Sequence, residues 1–190
     1  MNKKEKITQT TLQLIVDQGI QATPMSQISR VSGVAMGTIY HHFSSKKEII
    51  NFIYLELKKD FGEAILKDVV QNNEYKEQFF QIWKNIFEFY RGNELKFKFS
   101  QYVGNLPIID DATKEEGLTF YAPAIAFLEK GVQLKWLKQV DINLLVETVH
   151  GSVVALALLA HSKKLIITKA ILKQAITMSW DGVSIKKNNK

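Results

Sequence analysis

The fold turns on one stretch: Thr23-Pro24-Met25-Ser26-Gln27-Ile28-Ser29-Arg30-Val31-Ser32-Gly33-Val34-Ala35-Met36-Gly37-Thr38-Ile39-Tyr40-His41-His42-Phe43. Thr23 is suited to cap a helix. Pro24 is suited to open one, since the first helical turn has no use for its missing N–H. Ile28 and Val31 give that helix a face to bury. Gly33 supplies the permissive backbone of a tight turn, and Val34 is placed to plug the junction. A second short helix then turns Ile39 and Phe43 inward at i,i+4 spacing. Gly37, Thr38, Tyr40, His41 and His42 are left facing mostly outward. Two short helices joined by a glycine turn, the second with a polar and aromatic outer face, predict a helix-turn-helix.

Helical spacing continues on both sides. Before the motif, Ile7, Thr11, Leu14 and Ile15 share a face, and Gly19 is a fitting C-cap. After it, Ile49, Ile50, Ile53, Tyr54, Leu57, Phe61, Ala64 and Ile65 form a longer face, and Phe79, Phe80, Trp83, Ile86, Phe87 and Tyr90 another. Residues 144–160 and 166–180 read as two further helices. Prolines occur only at 24, 107 and 123, and no turn dipeptide flanked by alternating apolar residues marks a β-hairpin. The expectation is an all-α chain of about nine helices: an N-terminal three-helix helix-turn-helix domain, then a larger helical ligand-binding and dimerisation domain. Helices are short and punctuated by glycine up to residue 46 and long thereafter, which places the domains at 1–46 and 47–190.

Composition narrows the chemistry. The 190 residues hold no cysteine and four histidines, which removes thiolate metal sites, disulfides and cysteine nucleophiles. His41 and His42 are adjacent and diverge on a helix, so they are badly placed to chelate one metal. No cofactor or metal is expected. The net charge is +6, and it is uneven. Residues 1–50 carry six Lys/Arg against three Asp/Glu, residues 51–180 carry sixteen against fifteen, and 181–190 three against one. The excess at the front coincides with the motif; the basic run at 184–190 reads as a solvated end. The longest apolar run, Val153–Ala160, is too short to span a bilayer, and no targeting segment is visible. A cytoplasmic address and no membrane partner are expected.

The segment Ile28-Ser-Arg-Val-Ser-Gly33-Val-Ala-Met-Gly37-Thr38-Ile-Tyr40-His-His-Phe43-Ser-Ser-Lys46-Lys-Glu48-Ile resembles the DNA-binding domain of the TetR (tetracycline repressor) family of transcriptional regulators. The resemblance covers roughly residues 5–57. Departures from the family pattern are Ser29 in place of alanine, Thr10 and Thr11 in place of small apolar residues, and Ala35 where serine often caps the second helix. The first two are expected to loosen packing slightly, and the last to forfeit about 1 kcal/mol of capping. The resemblance places Tyr40 and His42 at positions that hydrogen-bond phosphates. Lys46, opening the next long helix, is a further phosphate contact, where an ammonium and backbone N–H groups meet the same anion. Lys3, Lys4 and Lys6 are either a solvated tail or a reach to a neighbouring phosphate. Residues 34–42 contain no Arg, Asn or Gln, so base reading falls to Met36, Thr38 and His41, with Gly37 allowing close approach and Gln27 and Arg30 assisting. Sequence preference then rests partly on thymine methyl contacts and DNA shape.

Of 20 aromatic residues, two lie in 1–50, seventeen in 51–136 and one after that. Taken singly each is best read as core. Taken together, Trp83, Phe87, Tyr90, Phe97, Phe99, Tyr102, Phe120, Tyr121, Phe127 and Trp136 suffice to line an apolar pocket. The resemblance implies a small effector in this region. The residues expected at it are Trp83, Phe87, Tyr90, Phe99, Tyr102, Tyr121 and Phe127, with Glu147 and His150 either meeting a polar group or satisfying each other. The last two helices are apolar on more than one face, which asks for a second partner. Val149, Val153, Leu156, Ala157, Ile171, Leu172, Ala175 and Met178 are expected in a two-fold, four-helix homodimer contact, a contact the resemblance also implies.

The function expected is therefore a ligand-responsive transcriptional regulator, read as a repressor. It would bind a palindromic double-stranded DNA operator as a homodimer and be released by a small, largely apolar effector. The alternative is a helical interaction or small-molecule-binding module without DNA binding. An enzyme is less well supported, because no nucleophile elbow, phosphate loop or metal-spaced histidine pair occurs.

Overall fold

The computed structural model describes residues 1–104 and 106–185, so residues 186–190 of the basic run at 184–190 lie outside it, while Ser184 is buried rather than solvated. Ten helices form among the described residues: α1 (Lys3–Gln18), α2 (Met25–Ser32), α3 (Met36–His42), α4 (Lys46–Ile65), α5 (Tyr75–Gly92), α6 (Glu94–Val103), α7 (Asp111–Thr119), α8 (Ala122–Gln133), α9 (Ile142–His161) and α10 (Lys169–Val183). The sole β pairing among them is an isolated antiparallel bridge between Leu137 and Ser184.

The helices pack as two compact units, and neither is a continuous piece of chain. One comprises Met1–Asp60 with Asn93–Thr119; the other comprises Phe61–Gly92 with the chain from Phe120 onward. A single cut at residue 46 does not describe this packing, because α6 packs on α1 and α7 falls in the same unit. In the first unit, Ile7, Ile15, Ile28, Ile39, Phe43, Ile49 and Ile50 share one core with Phe99, Val103 and Ile109. Asn51 of α4 ties this unit together. Its buried amide donates to the carbonyls of Lys47 (2.8 Å) and Ile108 (2.9 Å), and its oxygen accepts the Asp110 N–H (3.1 Å).

The second unit is built on α5, whose aromatic face meets α9 and α10. Trp83 is fully enclosed and donates its indole N–H to Ser152 Oγ at 2.9 Å. Tyr75 stacks on Phe127 with centroids 4.3 Å apart. Leu145, Val149, Val153, Leu156 and Ala157 form the buried face of α9. This corrects the expected dimer contact. Val149, Val153, Leu156 and Ala157 are core residues of the chain itself. The exposed stripe of α9 is instead Leu144, Thr148, Gly151, Ala155 and Leu158, at alternating spacings of four and three. Met178 of α10 is 74% exposed, and Ile171, Leu172 and Ala175 are half-buried. By length and composition α9 is apolar enough to cross a bilayer, with a mean hydropathy of 1.8, although the run Val153–Ala160 alone is too short.

Candidate functional site

The helix-turn-helix is assembled by its own serines. Gly33 sits at φ 67°, a left-handed conformation that costs an L side chain about 1–2 kcal/mol. Val34, buried at the junction, has both backbone groups satisfied from α2: Ser29 Oγ donates to its carbonyl at 2.7 Å, and its N–H donates to Ser32 Oγ at 3.2 Å. Ser29 therefore does not loosen the packing, as expected from the sequence, but fastens the turn. Ser29→Ala should lower stability by about 1 kcal/mol in a urea melt, because the Val34 carbonyl loses its partner; an unchanged midpoint would remove that role.

Capping also differs from expectation. Thr23 does not cap α2; the helix starts behind Pro24 without a side-chain cap. Thr23 is buried and donates to the Gly19 carbonyl at 2.8 Å instead. Thr11 is likewise buried, with its hydroxyl on the Ile7 carbonyl at 2.8 Å, so its polarity costs the core little. Helix α3 begins at Ala35 with no side-chain cap, as that residue predicts.

Ile39 and Phe43 are 0% and 2% exposed, which fixes the rotation of α3. Gly37, Tyr40 and His41 consequently face solvent, with Tyr40 54% exposed, and Thr38 and His42 are half-exposed. These five form one polar and aromatic surface on a rigid base. Met36 is half-buried against the core and contributes less to it than expected. Arg30 is exposed on α2. Gln27 is engaged in a reciprocal amide pair with Gln18, at 2.8 and 3.2 Å.

The lysines are more structured than the sequence suggests. Lys46 Nζ donates to the Ile20 carbonyl at 2.6 Å, holding the turn after α1. Lys3 is already helical, behind a capping box formed by Asn2 and Glu5. Lys4 therefore does not trail as a tail; its ammonium lies 3.7 Å from the Phe52 ring centroid and 5.5 Å from that of Phe43. Lys4, His42, Ser44, Ser45 and Lys47 line one cavity of about 510 Å³ beside the end of α3. At its floor Glu48 accepts the Ser44 N–H and hydroxyl at 2.6 and 2.7 Å, and those bonds hold its carboxyl below the ordinary value.

In the second unit, Tyr90, Tyr121 and His150 gather around Phe61. Phe61 stacks on Tyr90 at 5.4 Å and meets Tyr121 edge-on at 5.9 Å. The Tyr90 hydroxyl is 2.7 Å from His150 Nε2, so this tyrosine is one partner of the histidine. Burial above all, then Tyr121 and Glu147, hold the Tyr90 phenol well above its ordinary value. Trp83 and Phe87 are stacked and fully buried, Phe127 is half-buried on Tyr75, and Glu147 is exposed. Phe99 and Tyr102 do not join them. Both lie on α6 in the first unit, where Phe99 is core and the Tyr102 hydroxyl reaches the Ile20 N–H at 3.5 Å. Sequence reasoning grouped them by composition, which carries no information on which helices pack together. Phe61 was legible only as one member of a helical face.

Family comparison agrees with this geometry. Residues 7–52 match the family model described as bacterial regulatory proteins, tetR family, and residues 74–184 match the tetracyclin repressor-like C-terminal domain. The chain belongs to the tetR family of transcriptional regulators. An uncharacterized HTH-type transcriptional regulator of Haemophilus influenzae is 28% identical over 110 residues, which cover 58% of this chain and 59% of that protein. A TetR family transcription regulator from Marinobacter aquaeolei superposes with a TM-score of 0.89 at 17% identity, covering 97% of this chain and 96% of that one. The regulator FadR from Bacillus subtilis, solved in complex with stearoyl-CoA, superposes with a TM-score of 0.73 at 20% identity over 94% of this chain and 98% of its own.

Proposed function

We propose that this regulator is a cytoplasmic repressor that binds a palindromic operator as a homodimer and is released by a small, largely apolar effector. The observation that carries the reading is the outward face of α3, where Gly37, Tyr40 and His41 stand exposed and Thr38 half-exposed on a helix anchored by Ile39 and Phe43. A helix of that size enters the major groove, and two-fold symmetry sets a pair of them about one DNA turn apart. The helix-turn-helix within residues 1–46 reads the operator on a base it shares with α6 and α7, and the second unit senses and dimerises. The aromatic group around Phe61 supplies an apolar effector site with one polar point, the Tyr90–His150 pair. The stearoyl-CoA complex of the Bacillus subtilis relative supports an effector of apolar character. An effector acts only by binding the released conformation more tightly than the bound one.

A mobility shift with the DNA upstream of the chain's own gene tests this, with salt titrated. Tyr40→Phe should weaken all sequences alike and leave the salt dependence nearly unchanged, as expected for loss of an uncharged hydrogen bond to phosphate. Thr38→Ala should instead narrow the gap between the operator and its mutated forms by about 1 kcal/mol or more per reader lost. Binding that is absent, or indifferent to salt, would overturn the DNA-binding reading.

A further inference from the structure

A groove of about 490 Å³ runs between α5 and the start of α10, outside the aromatic group around Phe61. Its accessible apolar lining is Phe80, Ile167 and Leu172, and the buried Phe87 and Ile176 complete the apolar wall. Lys84 and Arg91 border it from α5, and Lys169 and Lys173 from α10. The one carboxylate on its wall, Glu88, is paired with Arg91 at 2.5 Å. Lys84, Lys169 and Lys173 are exposed and make no ion pair among the described residues. This concentration of cations stands out because residues 51–180 are close to neutral overall, with sixteen basic against fifteen acidic. Like charges around one groove repel one another unless an anion lies between them. The amides opening α10 add partial positive charge of the same sign.

At about 100° per residue, Leu172 and Ile176 lie well round α10 from the exposed Met178, so the groove shares Leu172 but not Met178 with the dimer contact expected from the sequence. The size suits a small molecule rather than a folded partner.

We propose that this groove is a second ligand site, for an anionic amphiphile: an apolar chain along Phe80, Ile167 and Leu172, with a carboxylate or phosphate head among Lys84, Lys169 and Lys173. The site is independent of the effector region described above and of DNA binding. Calorimetric titration of the full chain with sodium decanoate, kept below its micelle concentration, tests it. Decanoate should bind. The double variant Lys84→Gln/Lys173→Gln should bind it about tenfold more weakly or worse while keeping its circular dichroism, since both side chains are exposed. Decanol, with the same chain and no charge, and inorganic phosphate, with charge and no chain, should each bind at least about tenfold more weakly than decanoate. Failure of decanoate to bind, or equal affinity in the double variant, would overturn the proposal; the latter would place the chain among the aromatics instead. Equal affinity for decanol or for phosphate would overturn it as well, by leaving the cations or the apolar floor without a part.

Discussion

Gly62→Ala should destabilise the protein by about 2 kcal/mol or more. In an exposed helix the same change is favourable by about 1 kcal/mol, because glycine is the poorer helix former. Here the residue is buried in α4, and an added Cβ would lie 2.2 Å from the Phe120 carbonyl oxygen and 2.8 Å from its carbon. A side chain rotates out of such a contact; a backbone carbonyl has to carry its neighbours with it. The steric term therefore outweighs helix propensity. The urea midpoint should fall, and a midpoint that stays or rises would mean that the backbone at Phe120 yields at little cost.

The second large effect concerns assembly. Ala155→Glu combined with Leu158→Glu should convert the proposed dimer into a monomer while leaving helical content unchanged. Both residues are exposed, Leu158 by 52%, so neither substitution opens the chain's own core. In a two-fold contact each new carboxylate would meet its copy across the axis in a desolvated seam. Loss of the second headpiece removes the gain from linked binding, and operator affinity should fall by about a hundredfold or more. Light scattering at micromolar concentration checks the first step and a mobility shift the second. A dimer that survives the double substitution would move the contact elsewhere. The reverse choice, charging Val153, is uninformative: that residue is 0% exposed inside the chain, and the variant would simply unfold.

Much of the DNA-reading unit was legible in the sequence because its constraints are local. Gly33 announces a left-handed turn, and Ile39 and Phe43 fix the rotation of a seven-residue helix between them. The outward face then follows by geometry. What was misread there involves side chains that choose among nearby backbone partners. Thr23 turns back to Gly19 rather than capping α2, and Ser29 binds Val34 rather than merely replacing a smaller residue. Both hydroxyls had several partners within a few residues, and the burial of each decided which one it took.

Beyond residue 46 the sequence was a list of helices without their neighbours. It showed that α9 has two apolar faces but not which of them meets α5. Phe99 and Tyr102 looked like companions of Trp83 and Tyr90 because all four are aromatic and close in sequence, yet α6 packs on α1.

By itself, then, the sequence determined an all-helical chain, the helix-turn-helix and the residues on its outer face. Each follows from spacing within a few turns of chain and from what a single backbone position tolerates. Only the tertiary structure decided that α6 and α7 belong with the DNA-reading unit, that Val149 and Val153 are core, and that Lys84 and Lys173 border one groove. These depend on which surfaces exclude water from each other most completely. Hydrophobic burial is non-directional, so a pattern of apolar residues states that a face must be covered without naming what covers it.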